Sequence, residues 1–389
     1  MYYVGIDIAK YKHDCCIIDQ NHKIIKDSFT FANNQSGFND LLSTLSSLGS
    51  KSNIKIGFES TGHYGTNLKV FLSQHNFNFM EFNALLLHKF IETQSLRKLK
   101  TDKSDCKYIA NYLTTIVFKP YNKEFYHIYS LKSLVRNYDS IVRDRSQYIM
   151  NLTNTMDVVF PEFKPFFNDI FGETALYILY KYPSLEKISS IPDDDYQTIH
   201  NVSRGKFSSA KLCKLRNLAK NSIGSSNEYT SIQLKAIISI LKSLDTQANS
   251  LKKQITSIIQ KINPHILTIP GIGPVTTAII YSEIGDFNSF SSADKIVAFA
   301  GLEPAFYQSG ISAQTGRMVK HGSPLLRYAL MNATIPMLRF NPVFSNYYYK
   351  KRSEGKCHRV ALSHLAKKLV RVMYTLETKS LDYDSKMIK

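Results

Sequence analysis

YYVGIDIA (residues 2–9) and IKIGFES (residues 54–60) are short apolar runs, and each carries an acid near its end, Asp7 and Glu59. Runs of this length, rich in Val, Ile, Phe and Tyr and bounded by polar residues, read as strands. A third segment, KTDKSDCKYIANYL (residues 100–113), reads as a helix start with Asp102 and Asp105 three apart. Residues at that spacing share one helix face. Two strand-end carboxylates facing two helix carboxylates make a cage of hard oxygen donors. Such a cage suits Mg²⁺, and Mg²⁺ in carboxylate cages suits phosphodiester chemistry. Any one of these acids taken alone reads more readily as a solvated surface residue than as a ligand. The set, with each member at an element boundary, points to an enzyme acting on nucleic acid.

Working outward, residues 1–115 alternate strand and helix. YYVGIDIA, CCIID and KIIKDSFTF read as three successive strands. Ser36 to Leu48 reads as a helix, with Phe38, Leu41, Leu42 and Leu45 at helical spacing. IKIGFES is then a fourth strand, HYGTNLKVFLSQ a helix and FNFMEF a fifth strand, with helical segments from about Asn83 and again from Asp102. That is the element order of an α/β RNase H-like (RuvC-like) domain, in which the first and fourth strands present their acids at one end of the sheet. The adjacency rests on fold analogy.

The chain has 389 residues, 43% of them hydrophobic, which suffices for two or three domains with real cores. No signal peptide is expected before the first strand, and no window approaches the roughly 18 unbroken apolar residues of a membrane helix. The five cysteines, Cys15, Cys16, Cys106, Cys213 and Cys357, show no metal-type spacing and read as reduced cytosolic thiols. A cytoplasmic, nucleoid-associated protein is the expectation. Net charge is +18, which favours a polyanionic partner. Residues 301–389 carry 15 Lys and Arg against 5 Asp and Glu, so the excess is concentrated there. The plainer alternative is a general basic bias.

Residues 131–160 read as one long helix stopped by Pro161, with Arg145 breaking its apolar series. Leu234, Ile237, Leu241, Leu244, Ala248, Leu251, Ile255, Ile258 and Ile262 keep a 3-4 spacing that is a coiled-coil signature, ended by Pro264. The period does not choose between the 131–160 helix and another chain as partner. Residues 161–231 carry no recognisable chemistry. LTIPGIGPVTTAIIYSEIGDF (267–287) places Gly271 and Gly273 in a tight turn between apolar segments. This reads as a helix–hairpin–helix whose backbone amides face a phosphate, or as an ordinary Gly-Pro turn. In AGLEPAFYQSGISAQTGRMVKHGSPLLRYALMNA (300–333), Ser309 reads as lying in a polar loop, with Arg317, Lys320, His321 and Arg327 in the surrounding loops. A hydroxyl among cations can attack phosphorus, although a solvated or capping serine is the local alternative. The tail helix, CHRVALSHLAKKLVRVMYTL (357–376), sets Ala361, Leu365, Leu369 and Val372 on one face, with Lys367, Lys368 and Arg371 elsewhere. Tyr347 to Tyr349 read as packing or base-stacking groups rather than nucleophiles.

Taken in order, GIDIAK, FESTGHY, KTDKSD, IPGIGPVTTAIIYSEIGDF, AGLEPAFYQSG and GRMVKHGSPLLRYAL resemble the DEDD transposases of insertion-sequence family 110, including the related DNA invertases. The resemblance spans nearly the whole chain. It implies an RNase H-like domain at residues 1–125, a helical coiled-coil region at 126–263 and a mainly helical transposase domain with helix–hairpin–helix at 264–389. It also implies that Asp7, Glu59, Asp102 and Asp105 hold Mg²⁺ and that Ser309 is the DNA nucleophile, forming a phosphoserine link. Nucleic-acid contacts would fall to Gly271, Gly273, Arg317, Lys320, Arg327, Lys367, Lys368 and Arg371. Implied partners are double-stranded donor and target DNA, a structured guide RNA from the element, and further copies of the chain as a dimer to tetramer. Two departures stand out: Cys106 follows Asp105 where a smaller Ala is expected, and Ser323–Pro324 replaces an Asn-containing turn. No GxxxxGK[ST] phosphate loop is present, as suits a transesterification that conserves bond energy. The rival readings are a two-metal nuclease or junction resolvase using water, and a non-catalytic nucleic-acid-binding protein.

Overall fold

A computed structural model describes residues 1–59, 62–82, 84–94, 102–120, 126–309 and 312–387. The side chains of Asp102, Ser309 and Arg317 lie outside this description, as do Gly310 and the segment before Asp102. Two compact units emerge, residues 1–126 and 127–389.

The first unit is a five-stranded mixed sheet with helices on both faces. β1 (Tyr2–Ile8), β2 (Lys12–Asp19) and β3 (Ile24–Ala32) form an antiparallel meander; β4 (Ile54–Glu59) and β5 (Phe79–Phe82) add in parallel on the other side of β1. The spatial order is β3-β2-β1-β4-β5. α1 (Gln35–Ser46) separates β3 from β4, α2 (Thr66–Gln74) separates β4 from β5, and α3 (Ala84–Gln94) and α4 (Asp102–Thr115) follow. Asn34 caps α1 by accepting the amide of Gly37 at 2.9 Å. Alternation along the strands sorts the two faces. Val4, Ile6 and Ile8 of β1, with Ile54, Ile56 and Phe58 of β4, pack on Phe38, Leu41 and Leu45 of α1 and on Leu68 and Leu72 of α2. The opposite face belongs to α4, through Cys106, Ile109, Ala110 and Leu113.

The second unit is almost entirely helical. α5 (Tyr126–Val159) leads into α6 (Phe163–Phe166), α7 (Glu173–Lys181), α8 (Leu185–Ser189), α9 (Tyr196–Val202) and α10 (Ser209–Lys220), followed by the long α11 (Glu228–Ile262). Then come α12 (Pro274–Ile284), α13 (Ala293–Phe299), a hairpin of β6 (Pro304–Ser309) and β7 (Ser312–Met318), α14 (Pro324–Phe340), α15 (Pro342–Ser353) and α16 (His358–Lys379). A reciprocal Asn227–Thr230 capping box starts α11, and Asn263, left-handed at φ 49°, ends it before Pro264.

α5 and α11 run antiparallel within the one chain, which answers the question their periodicity left open. Leu131 and Val135 share a core with Ile255 and Ile259; Leu152 and Met156 share another with Leu234, Ile237 and Leu241. Arg145, the residue that interrupts the apolar series of α5, is ion-paired to Asp245 of α11. The second core is closed by α6–α10, the first by α12–α16. Among the described residues no helix is long and apolar enough to cross a membrane.

Candidate active site

α4 lies hard against the middle of the sheet, and glycine makes the approach possible. A Cβ on Gly5 of β1 would sit 2.2 Å from the carbonyl oxygen of Cys106 and 2.4 Å from the amide nitrogen of Ala110. A Cβ on Gly57 of β4 would meet the Phe82 ring at 2.5 Å and Leu113 at 2.9 Å. Gly5 and Gly57 therefore point at α4, and so do the residues two further along each strand, Asp7 and Glu59. The β1–β4 register pairs Ile6 with Phe58, so its next step sets Asp7 beside Glu59. Asp105 lies in the turn of α4 that precedes Ile109, and Asp102 one turn before Cys106; both Ile109 and Cys106 are buried toward the sheet. Asp7 and Asp105 are both half-buried.

A further acid belongs to this row. Asp14 of β2 pairs directly with Asp7 across the antiparallel ladder, so its side chain points to the same face. It is only 4% exposed and accepts a hydrogen bond from Thr30 Oγ1 at 2.5 Å. Asp14, Asp7 and Glu59 thus occupy adjacent positions on three neighbouring strands. Among the described residues no group of three His, Cys, Asp or Glu side chains is closed tightly enough to hold a metal ion. The donor chemistry nevertheless fits a hard divalent cation: carboxylate oxygens on one face, beneath one helix.

In the second unit the organising charge is Glu283 of α12, whose side chain is 1% exposed. Arg136 of α5 donates to it twice, Nε to Oε1 at 2.7 Å and Nη2 to Oε2 at 3.1 Å; Lys132 Nζ lies at 3.5 Å. Ser323 Oγ donates to Oε2 at 2.9 Å while accepting the amide of Leu326, so the same hydroxyl caps α14. Burial pushes this carboxyl up, but Arg136, Lys132 and Ser323 more than offset it and hold it below the usual carboxylate range. One buried carboxylate therefore joins α5, α12 and the start of α14.

The loop at residues 319–323 is packed as closely. Cβ atoms on Gly301 and Gly322 would lie 2.2 Å from the His321 carbonyl oxygen and 2.0 Å from the Phe299 carbonyl oxygen. Arg327 Nη1 donates to the carbonyls of Ala300 at 3.2 Å and Lys320 at 3.3 Å, which makes it a clamp on this loop. Lys320 is exposed. Ser309 and Arg317 are strand residues rather than loop residues: Ser309 ends β6, opposite Ser312, and Arg317 lies in β7. The polar composition of this stretch hides the hairpin. The two expected hairpin glycines also separate. Gly271, at φ +95°, faces α14, where a Cβ would be 2.9 Å from Met337 Cα; Gly273 has open space around it and precedes α12 without a side-chain cap. The segment before them is a 3₁₀ turn, His265–Thr268.

α16 buries Ala361, Leu365, Leu369 and Val372. Lys367 and Lys368 lie half-buried beside that face, and Lys368 Nζ sits 4.8 Å from the Tyr347 ring centroid. Burial, with Arg371 near Lys367 and Lys350 near Lys368, lowers both ammonium groups from their ordinary value. Arg371 is exposed and paired with Asp294 at 3.1 Å. Positive charge is thus crowded along this side of α16.

Comparison with known proteins finds two matching segments in the chain. Residues 4–161 match the transposase model of IS110-type DEDD proteins, and residues 263–349 match the transposase model of the IS116/IS110/IS902 family. The chain belongs to the IS110 family of DEDD transposases. By class it is therefore an enzyme, a DNA transposase or recombinase. The transposase is 24% identical to the pilin gene-inverting protein of Moraxella bovis over 388 residues, 99% of its own length and 98% of the relative's. It is 27% identical over 158 residues to the 43.6 kDa protein of insertion element IS110 from Streptomyces coelicolor, which covers 40% of this chain and 39% of that protein. A 42 kDa protein of insertion element IS900 from Mycobacterium paratuberculosis is 34% identical over 113 residues, 28% of each chain.

Within the transposase, Asp7 and Glu59 occupy neighbouring strands beneath the helix that carries Asp102 and Asp105. Sequence reasoning missed Asp14 and Glu283. The signal for Asp14 was present: it alternates with Cys16 and Ile18 in an apolar strand, so an acid there must turn inward with them. Glu283 gave no such signal, because its partners lie far away in sequence on α5.

Proposed function

We propose that this transposase excises and inserts DNA by divalent-metal-dependent transesterification, with Asp7, Glu59, Asp102 and Asp105 as metal ligands and Ser309 as nucleophile. The observation that carries the reading is the β1–β4 register, which sets Asp7 next to Glu59 on the face covered by α4. The β3-β2-β1-β4-β5 order supports an RNase H-like (RuvC-like) domain at residues 1–125. Residues 126–263 then act as a coiled-coil spacer, and 264–389 as the transposase domain.

Bound Mg²⁺ would supply charge neutralisation at the scissile phosphate. Asp7, Glu59, Asp102 and Asp105 would hold that cation through hard carboxylate oxygens. The Ser309 hydroxyl attacks phosphorus, the Ser309 Oγ–P bond forms, a P–O bond of the DNA strand breaks, and the released oxygen leaves as a 3′-hydroxyl. Attack by a partner strand's 3′-hydroxyl reverses the step and frees the serine. Lys320, Arg317, Lys367, Lys368 and Arg371 neutralise backbone phosphates, with the Gly273 turn as a backbone contact. The name of the Moraxella relative, a gene-inverting protein, supports a strand-exchange reaction over simple hydrolysis. Guidance by a structured element RNA, assembly as a dimer to tetramer and a cytoplasmic, nucleoid-associated setting complete the proposal.

The test is cleavage of end-labelled element-junction DNA in the presence of element-end RNA. Wild-type protein cleaves with Mg²⁺ and stops with EDTA, and Asp7→Ala and Glu59→Ala abolish cleavage. Undiminished cleavage by both variants would remove the acids from the reaction.

A further inference from the structure

We propose that Cys16 and Cys106 form an oxidisable thiol pair, a site at which an intramolecular disulfide fastens α4 to β2. Both thiols are fully buried. They pack together, with Ile18 and Ala110, in a small cluster of their own on the α4 face of the sheet. Strand alternation selects the pair. Cys15 precedes Cys16 but points into the opposite core, among Val4, Ile17 and Phe31. Cys213 and Cys357 are exposed.

The chemistry is thiol–disulfide exchange with a low-molecular-weight disulfide such as oxidised glutathione. The Cys16 thiolate attacks one sulfur of that disulfide, forming a mixed disulfide and releasing one glutathione thiol. The Cys106 thiolate then attacks Cys16 Sγ and releases the second. Two protein thiols are oxidised, one external disulfide is reduced to two thiols, and the two protons end on the glutathione. Because the pair is buried, exchange proceeds only as α4 lifts from the sheet, and closure then holds α4 down. The turn so fastened follows Asp105 directly and sits on Gly5, two residues before Asp7. The functional consequence, though not the crosslink, rests on the proposed role of these acids.

The experiment uses the full chain with Cys213→Ser and Cys357→Ser, incubated with oxidised glutathione and mapped by non-reducing peptide mass spectrometry. The expected product is a single Cys16–Cys106 crosslinked peptide pair lacking two hydrogens, with Cys15 left alkylatable after unfolding. Metal-dependent DNA cleavage by the crosslinked protein should stay within about twofold of that of the reduced protein, because the disulfide holds α4 in the seat that keeps Asp105 over the sheet, while the melting temperature rises until dithiothreitol is added. Recovery of Cys16 and Cys106 as two thiols after prolonged oxidation, or a crosslink to Cys15, would overturn the site whatever the acids do. A clean Cys16–Cys106 crosslink with cleavage lowered by roughly tenfold or more would overturn the account of this seat as the productive one.

Discussion

Gly5→Ala is the sharpest structural probe of how the acids come together. The added Cβ would lie 2.2 Å from the Cys106 carbonyl oxygen, where ordinary contact begins at 3.4 Å. The obstructing atoms are backbone, so no side chain can turn aside, and α4 must recede by about 1.2 Å from β1. Overpacking of this kind costs about 1–3 kcal/mol, or roughly 3–12 °C in Tm for a unit of this size. The same recession moves Asp105 away from Asp7, and a misplacement of about 1 Å at reacting groups costs about 100-fold in rate. Gly57→Ala is the internal control. Its Cβ would meet only side-chain atoms of Phe82 and Leu113, which can shift, so its losses should be smaller. The assays are thermal melting and metal-dependent cleavage of junction DNA. Wild-type melting and cleavage in Gly5→Ala would refute the close seat of α4 on β1, and with it the placement of Asp105 over the sheet.

Four further outcomes follow from the second unit. Arg136→Ala should destabilise by about 3–5 kcal/mol, because it strips the bidentate partner from a buried carboxylate. Glu283→Ala should cost less, about 1.5–3 kcal/mol, because Arg136, 57% exposed in its side chain, can regain water; the reverse order in urea denaturation would contradict this account of the ion pair. The depressed Glu283 carboxyl contributes stability that is present above its unfolded pKa, about 4.3, and is lost as pH falls through the lower folded value. Glu283→Gln should therefore flatten the acid limb of the stability curve, measured by melting between about pH 5 and pH 3. Gly271→Ala, at φ +95° and against Met337, should cost about 1–3 kcal/mol while Gly273→Ala melts like wild type; equal Tm values would undo the distinction drawn between them. Lys367→Ala with Lys368→Ala should weaken DNA binding and lower the slope of log K against log salt by about 2, whereas an unchanged slope would take these lysines off the phosphate backbone.

Much of this molecule could be read from residue pattern because the deciding signals are local. The five strands and their acids follow from short apolar runs that end on Asp7 and Glu59, and the long helices from 3-4 spacing. What could not be read depends on residues far apart in the chain. Asp14 matters only once the β1–β2 register sets it opposite Asp7. Arg145 looked like a flaw in a helix until Asp245 stood across from it. The 304–318 hairpin lacks an apolar alternation strong enough to outweigh its polar residues, so Ser309 read as a loop residue. Arg327 read as a phosphate ligand, and nothing in the local pattern announces that its Nη1 donates to the carbonyls of Ala300 and Lys320. The two glycines of the 267–287 segment look alike in sequence, yet only Gly271 is pressed against another helix.

The central claim is that acids and a serine act in one metal-dependent transesterification. The most direct measurement is the mass of protein after reaction with end-labelled junction DNA, element-end RNA and Mg²⁺, followed by denaturation. The account predicts a denaturant-resistant protein–DNA adduct on the peptide containing Ser309, absent in Ser309→Ala and in Asp102→Ala. Cleaved DNA without any adduct, with cleavage surviving Ser309→Ala, would contradict it and leave a nuclease that uses water.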